Sequence, residues 1–137
     1  MREKVVIFSG AGISAESGLR TFRDMDGFWN EYSVEEVASP EGWKKNPDVV
    51  LRFYNERRKS VLAAEPNAAH LSIVQLEKKY DVVVITQNID DLHERAGSSN
   101  VIHVHGEILK ARSSIDSSLI YALSVPTIEL GDLCEQG

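Results

Sequence analysis

The chain has 137 residues, 42% hydrophobic and 26% charged, a composition typical of one soluble globular domain. Its formal net charge of −6 argues against a nucleic-acid-binding protein, because phosphate contacts require clustered lysine and arginine. No apolar run approaches the roughly 18 residues that span a membrane. The N-terminal run Val5–Phe8 is too short for a signal peptide, so a cytoplasmic location is expected. The single cysteine, Cys134, excludes an intrachain disulfide and a zinc site built from thiolates of this chain alone.

Short β-branched runs predict the strands. Lys4–Ser9 stops at a glycine and is typical of a parallel strand buried on both faces, and Asp81–Thr86 shows the same pattern. Asn100–His105 predicts a third, weaker strand, because two histidines interrupt it. Leu119–Leu123 and Val125–Ile128 predict two short strands that do not continue the alternation of strands and helices.

Helices are predicted between these strands, over about residues 47–64, 68–79 and 90–96. Asn46 is suited to cap the first helix, and Pro47 suits its first position. Gly97 is a typical stop for the third. The side chains of the second helix expected to face the core are Leu71, Val74 and Leu76. Strands alternating with helices imply right-handed crossovers, so the predicted fold class is α/β, with a doubly wound, Rossmann-like parallel sheet.

A glycine-rich loop follows the first strand directly, with the sequence Gly10-Ala11-Gly12-Ile13-Ser14-Ala15-Glu16-Ser17-Gly18. Glycine lets a backbone approach phosphates, and the amides of a helix N-terminus donate to them, as in dinucleotide-binding sheets. The third glycine is not where the common dinucleotide motif has it. The loop by itself therefore leaves open a tight strand-to-helix turn without a ligand.

Polar residues follow the second and third strands. Gln87-Asn88-Ile89-Asp90 provides side chains that can hydrogen-bond an amide and a ribose, although Asn88 or Asp90 also suits a helix cap. His103 and His105 end the third strand and are expected to face the same side of it. A strand histidine is more often structural, and a metal-binding pair lacks a third ligand at a clear spacing.

Tyr54 and Arg57 lie three residues apart, on one face of the first predicted helix. Arginine can bind a carboxylate with two hydrogen bonds, and a phenol can add another. The alternative is that Tyr54 packs in the core and Arg57 is solvated, as expected for most of the neighbouring cations Arg52, Arg58 and Lys59.

The run from Gly10 through Phe22-Arg23, together with Gln87–Asp90 and His105-Gly106, resembles the signature of the sirtuins, NAD-dependent protein lysine deacylases. The resemblance covers about residues 4–112 with specific motifs, and the rest more loosely. In that family the glycine loop binds NAD, which implies this role for Gly10, Ala11, Gly12 and Ser14. Phe22 and Arg23 correspond to residues on a flexible lid over the nicotinamide ribose.

The resemblance also implies roles at the strand ends. The run Gln87–Asp90, including Ile89, binds the cofactor: Asn88 and Asp90 line the nicotinamide pocket, and Gln87 meets the ribose. His105 is the general base, a role that suits histidine because free imidazole titrates near physiological pH. His103 has no role in this comparison.

The implied reaction consumes NAD and an acyl-lysine of a protein or peptide. The acyl oxygen attacks the C1 carbon of the nicotinamide ribose and expels nicotinamide. His105 then takes a proton from a ribose hydroxyl, which attacks the resulting imidate, and lysine and O-acyl-ADP-ribose leave. In a subclass of sirtuins a Tyr-x-x-Arg pair, here Tyr54 and Arg57, recognises succinyl- or malonyl-lysine. His70 also matches a family pattern and is expected to be structural.

The chain departs from the family in two ways. Most sirtuins have four cysteines that hold a structural zinc, whereas this region has Ser113, Ser114 and Cys134, so the small module is expected to be held by packing and no metal is expected. The chain also stops at Gly137, before the strands that bind adenosine in the family. The expected domains are residues 1–107, the N-terminal part of an incomplete Rossmann-like NAD-binding domain, and 108–137, a remnant of the zinc-type module.

Two functions therefore stand side by side. The first is an NAD-dependent deacylase or a fragment of one. The 137 residues alone are expected to have weak or no deacylase activity. The alternative is a non-catalytic module that binds NAD or ADP-ribose. The combination of motifs argues against another nucleotide enzyme, and nothing in the sequence indicates the protein targets or the oligomeric state.

Overall fold

The computed structural model describes residues 2–21, 28–29 and 32–134. The elements, in chain order, are β1 (Lys4–Ser9), α1 (Gly12–Ala15), β2 (Phe28–Trp29), β3 (Tyr32–Ser33), α2 (Val34–Val37), α3 (Pro40–Lys45), α4 (Pro47–Ala63), α5 (Ala68–Leu76), β4 (Asp81–Thr86), α6 (Leu92–Ala96), β5 (Val101–His103), β6 (Lys110–Arg112) and β7 (Ile120–Ala122). Among the described helices, none combines the length and the apolar composition that a bilayer crossing requires.

The central sheet is parallel, with its strands in the order β1-β4-β5. The register pairs Ser9 with Thr86 and Thr86 with His103, so the carboxyl ends of the three strands lie side by side. The predicted bounds of β1 and β4 are confirmed. The third strand ends at His103 rather than His105, because the chain turns there and Gly106 adopts a φ of 84°.

The prediction that β1 is buried on both faces is wrong. Val5 and Ile7 pack against the buried core residues Ile73, Val82 and Val84. Val6 and Phe8, on the opposite face, are 55% and 64% exposed. In the described part of the chain this core gathers on one face of β1, so the hydrophobic run is only half covered.

Helix ends follow the local signals more closely. α4 begins at Pro47, and the side chain of Asn46 accepts a hydrogen bond from the Val49 amide, as a cap does. α6 ends at Gly97, whose φ of 109° is the left-handed conformation that favours glycine. α5 ends at Leu76, three residues before the predicted end.

The predicted inward face of α5 is partly wrong, because Leu71 is 49% exposed. The buried residues of α5 are His70 and Ile73, which lie three apart on the face toward the sheet. Leu71 is offset from that face by about 100° of helix rotation, one residue step on a helix of 3.6 residues per turn.

After β5 the chain forms a small antiparallel ribbon of β6 and β7. The prediction of a strand over Leu119–Leu123 is confirmed in its centre, whereas the strand predicted over Val125–Ile128 is absent from the structure. No thiolate is available at Ser113 or Ser114 for a family-type zinc site. The Ser113 hydroxyl instead accepts hydrogen bonds from the amides of Ile115 and Asp116, as a turn residue does.

Side chains of α4 hold the segment that follows β7. Arg58 is 4% exposed and donates from Nε to the Ile108 carbonyl (2.8 Å) and from Nη1 to the Pro126 carbonyl (3.0 Å). Asn55 donates to the Ile128 carbonyl and accepts from the Ile128 amide, both at 2.9 Å. These hydrogen bonds occupy backbone groups of Pro126 and Ile128 that the predicted strand would need for pairing. Arg58 is therefore an exception to the solvated face expected for most cations of this helix, and burial lowers the pKa of its guanidinium.

Replacing Arg58 with methionine is expected to lower the free energy of unfolding by about 2–4 kcal/mol, because the Ile108 and Pro126 carbonyls lose their charged donor. Denaturant unfolding measures the loss, and hydrogen exchange at the Ile128 amide shows whether the segment detaches. Arg52→Met, at an exposed position of the same helix, is the matched control and should change stability by less than about 0.5 kcal/mol. Equal stabilities of the two variants would contradict the role of Arg58.

Candidate active site

A cleft of about 570 Å³ lies at the carboxyl ends of the parallel strands, within the size range of small-molecule sites. It receives residues from the glycine loop, from the turn after β4, from the turn after β5 and from one face of α4. The lining residues are Ala11, Ser14, Leu19, Arg20, Ala38, Tyr54, Arg57, Val61, Gln87, Asn88, Ile89, Asp90 and His105.

Most residues predicted for the site line this cleft. Gly10 and Gly12 do not line it, although the Gly10 carbonyl accepts a hydrogen bond from the Asn88 side chain. Phe22 and Arg23 lie outside the described residues.

The cleft also contains residues that the sequence prediction missed, namely Leu19, Arg20, Ala38 and Val61. Val61 follows Arg57 by four residues on α4, so helical spacing is a signal that identifies it. Ala38 comes from the turn between α2 and α3, two short helices that were not predicted, and no local signal points to it.

His105 is exposed and lines the cleft from the turn after β5. Its Nδ1 lies 3.1 Å from the Gln87 carbonyl oxygen. A carbonyl can only accept, so Nδ1 carries the hydrogen and Nε2 keeps its lone pair in the neutral ring. This tautomer leaves Nε2 able to take a proton from a group in the cleft. His103 and His105 therefore do not share a strand face as predicted, since only His103 belongs to β5.

Asn88 and Asp90 are buried at the cleft, with exposures of 8% and 5%. The Asn88 amide nitrogen Nδ2 donates to the Gly10 carbonyl (3.0 Å) and to Ser14 Oγ (3.2 Å). Ser14 Oγ in turn donates to Asp90 Oδ2 (2.9 Å). These hydrogen bonds connect the glycine loop after β1 to the turn after β4, and they hold the two segments in one arrangement.

Asp90 also stabilises the start of α6, since its Oδ1 accepts from the Leu92 amide at 3.1 Å. The capping alternative and the binding alternative are thus compatible in this carboxylate. Capping occupies one oxygen, while the other accepts from Ser14, and the side chain still lines the cleft.

A second buried chain of hydrogen bonds, which the sequence did not predict, ends on the backbone of Asn88. His93 Nε2 is 2.9 Å from Ser9 Oγ, which donates to Thr86 Oγ1 (2.9 Å), and this oxygen accepts from the Asn88 amide N–H (3.0 Å). Ser9 gives its proton to Thr86, so it accepts from His93. Burial lowers the pKa of His93, and the nearby His70 ring lowers it further, which keeps the imidazole neutral.

Tyr54 and Arg57 both line the cleft and are half-buried. The Arg57 guanidinium lies 5.7 Å from the centre of the Phe53 ring, a cation–π distance. Burial lowers the pKa of Arg57, against the opposing influence of Tyr54 and Asp90, and burial raises the pKa of Tyr54. A fully solvated Arg57 is therefore not what the structure contains; a cation and a phenol lie together on the α4 side of the cleft.

Comparison with known proteins gives a family. The protein-family model described as the Sir2 family matches residues 10–124 of this chain. The chain belongs to the Sir2 family. The resemblance to sirtuins on the glycine loop and strand-end motifs is thereby confirmed.

Individual Sir2 relatives agree with this assignment. The NAD-dependent protein deacylase of Helicobacter pylori strain 26695 is 56% identical over 133 residues, which are 97% of this chain and 58% of that protein. A mutant Sir2 homologue in complex with ADP ribose has a TM-score of 0.85 and 42% identity, covering 98% of this chain and 54% of that one. A Sir2 homologue–NAD complex has a TM-score of 0.82 and 40% identity, covering 98% and 52%. The chain spans a little more than half the length of these relatives, and the predicted Rossmann-like α/β fold is confirmed.

Proposed function

We propose that this Sir2 protein is an NAD-dependent protein lysine deacylase that releases nicotinamide and O-acyl-ADP-ribose. The observation that carries the proposal is the convergence of His105, Asn88 and Asp90 on one cleft with Ala11 and Ser14 of the glycine loop. The name of the Helicobacter pylori relative and the ligands in the two structural neighbours support the same reading.

The residues around the cleft suit NAD chemically. The Asn88 carboxamide and Asp90 carboxylate offer partners for an amide, and Gln87 offers one for a ribose hydroxyl. When bound, NAD would supply the ribose carbon that the acyl oxygen attacks and the ribose hydroxyl that receives the acyl group. His105 Nε2 would accept the proton of a ribose hydroxyl while the Gln87 carbonyl holds the opposite ring nitrogen. Phe22 and Arg23 remain proposed lid residues over the ribose.

The proposed substrates are acyl-lysine side chains of proteins or peptides, with a preference for succinyl- or malonyl-lysine. Tyr54 and Arg57 support this preference, because a partly desolvated guanidinium beside a phenol suits a terminal carboxylate. We assign residues 1–107 to the NAD-binding domain and 108–137 to a small module. Arg58 and Asn55 of α4, the helix of the acyl-binding pair, hold the described part of that module.

Nicotinamide release tests the proposal directly. The full-length protein, mixed with NAD and an acetyl-, succinyl- or malonyl-lysine peptide, is expected to release one nicotinamide for each peptide deacylated, as measured by chromatography. Omission of the peptide is the control, and release should then fall to background. Binding of NAD or ADP-ribose by calorimetry, with no nicotinamide released from any of the three peptides, would contradict catalysis and favour the binding module.

A further inference from the structure

His103, the histidine without a role in the proposed reaction, is held between two acceptors. Its Nδ1 lies 2.7 Å from the Asn88 carbonyl oxygen, and its Nε2 lies 2.6 Å from Glu94 Oε1 on α6. The side chain is 6% exposed. Since a carbonyl and a carboxylate only accept, both ring nitrogens donate, and the ring is an imidazolium paired with a carboxylate.

The electrostatics of the surrounding groups favour this charged pair. The hydrogen bond that His103 donates to Glu94 raises the pKa of His103 and outweighs burial, and the Asn88 carbonyl and the charge of Glu107 act in the same direction. Burial raises the pKa of Glu94, but the hydrogen bond and the charge of His103 lower it overall. Both shifts favour the charged form of the pair, in agreement with the two hydrogen bonds that the ring donates.

The pair acts on Asn88, whose backbone and side chain are held on several sides. The Asn88 N–H donates to Thr86, its carbonyl accepts from His103, and its Nδ2 donates to Gly10 and Ser14. Among the described residues, the side-chain oxygen Oδ1 has no hydrogen-bond partner. This orientation of the carboxamide is unambiguous, because the Gly10 carbonyl can face only the Nδ2 end.

The Asn88 carbonyl belongs to the peptide whose N–H is that of Ile89, another lining residue of the cleft. A charged donor on the carbonyl fixes the plane of this peptide and polarises its N–H. His103 itself does not line the cleft, so it acts on a ligand only through Asn88 and Ile89.

We propose that Glu94 and His103 are positioning residues that hold the Asn88–Ile89 peptide, and with it the free Asn88 oxygen, in the orientation that binds the carboxamide of nicotinamide. This proposal rests on the proposed deacylase function. It gives the first histidine of the His103-Val104-His105 segment a task different from that of the second.

Steady-state kinetics of the full-length protein test the proposal. In His103→Leu, the KM for NAD and the inhibition constant of nicotinamide are expected to rise about tenfold, the value for one lost charge-assisted hydrogen bond. These constants should change more than kcat at saturating NAD. His103→Asn should recover most of the loss, because its amide nitrogen takes the place of Nδ1. In Glu94→Gln, both constants should lie between those of His103→Leu and His103→Asn.

Glu107→Gln is the matched control, because this carboxylate also faces His103 but accepts its hydrogen bond from Lys110 Nζ (2.8 Å). It should leave both constants unchanged. The ligand atoms of Glu94, His103 and Glu107 lie within 4.8 Å of one another, so a cation site is the competing interpretation. Zn²⁺ binding by calorimetry that all three of Glu94→Gln, His103→Leu and Glu107→Gln abolish would overturn the positioning role.

The pH dependence supplies a readout that a purely structural histidine would not give. The pKa of His103 is raised, so the charged pair persists below it and is lost as pH rises through it. Inhibition by nicotinamide should weaken over that range in the wild type, and should not in His103→Asn.

Two measurements separate failure of this proposal from failure of the deacylase assignment. Imidazole nitrogen shifts in NMR spectra report two N–H groups on His103 at pH 7 whether or not the protein is active. A singly protonated ring at pH 7 would overturn the proposal, as would an active enzyme in which His103→Leu lowers kcat without changing KM or nicotinamide inhibition.

Discussion

Replacing His105 with alanine is expected to lower kcat for deacylation by about 10²- to 10⁴-fold, the range for removal of a general base. The side chain is exposed, and its described hydrogen bond is the one from Nδ1 to the Gln87 carbonyl. The free energy of unfolding should therefore change by less than about 0.5 kcal/mol. NAD affinity should change little by comparison, because the proposed proton transfer follows binding.

The matched control for this prediction is Val104→Ala. Val104 is 50% exposed in the same turn and does not line the cleft, so its truncation should leave kcat within about twofold of the wild type. Deacylation rates under NAD saturation, with calorimetric NAD affinities and thermal unfolding, separate chemistry from binding and folding. A His105→Ala enzyme that keeps more than about a tenth of the wild-type kcat would refute the general-base role.

Replacing Arg57 with methionine is expected to lower kcat/KM for desuccinylation by about 10- to 100-fold more than for deacetylation. A charge-assisted hydrogen bond is worth about 1.5–3 kcal/mol. The succinyl substrate loses this bond in the variant, whereas the acetyl substrate has no carboxylate and never makes it. Methionine keeps an unbranched apolar side chain and removes the guanidinium, which lies over the Phe53 ring. Matched peptides that differ only in the acyl group provide the measurement.

Two companion variants separate the charge from the shape of the acyl-binding pair. Tyr54→Phe keeps the ring, which packs edge-on against Phe53 at 5.2 Å between centroids, and removes the hydroxyl; it should give a smaller loss with the same selectivity. Arg52→Met removes an exposed positive charge from the same helix and should affect both substrates equally. Equal losses on succinyl and acetyl peptides in Arg57→Met would contradict carboxylate recognition.

Much of the local structure is predictable because its causes lie within a few residues. The β-branched runs predicted β1 and β4 with their bounds, and Asn46-Pro47 and Gly97 marked the ends of two helices. The short helix α2 also has a local signal, since Ser33 and Glu36 form a capping box that was not used in the prediction. β6 has no such signal, because three residues are stable as a strand only beside β7.

The residues of the candidate site are also largely identifiable from sequence, because each follows a strand whose carboxyl end lies at one edge of the sheet. Chain order alone places Ser14 far from Asn88 and Asp90, which share the turn after β4. Parallel pairing of β1 with β4 brings them within hydrogen-bond distance, across 74 to 76 residues of chain.

Sequence by itself therefore determined the fold class, the principal strands and helices, and most of the residues that line the cleft, including His105. Tertiary structure alone decided which polar side chains are buried and what they bind. Arg58 turns inward because carbonyls 50 and 68 residues away accept from it, and His103 is charged because Glu94 of α6 lies against it. Such partners are set by how elements pack, whereas caps and periodicity are set by residues three or four positions apart.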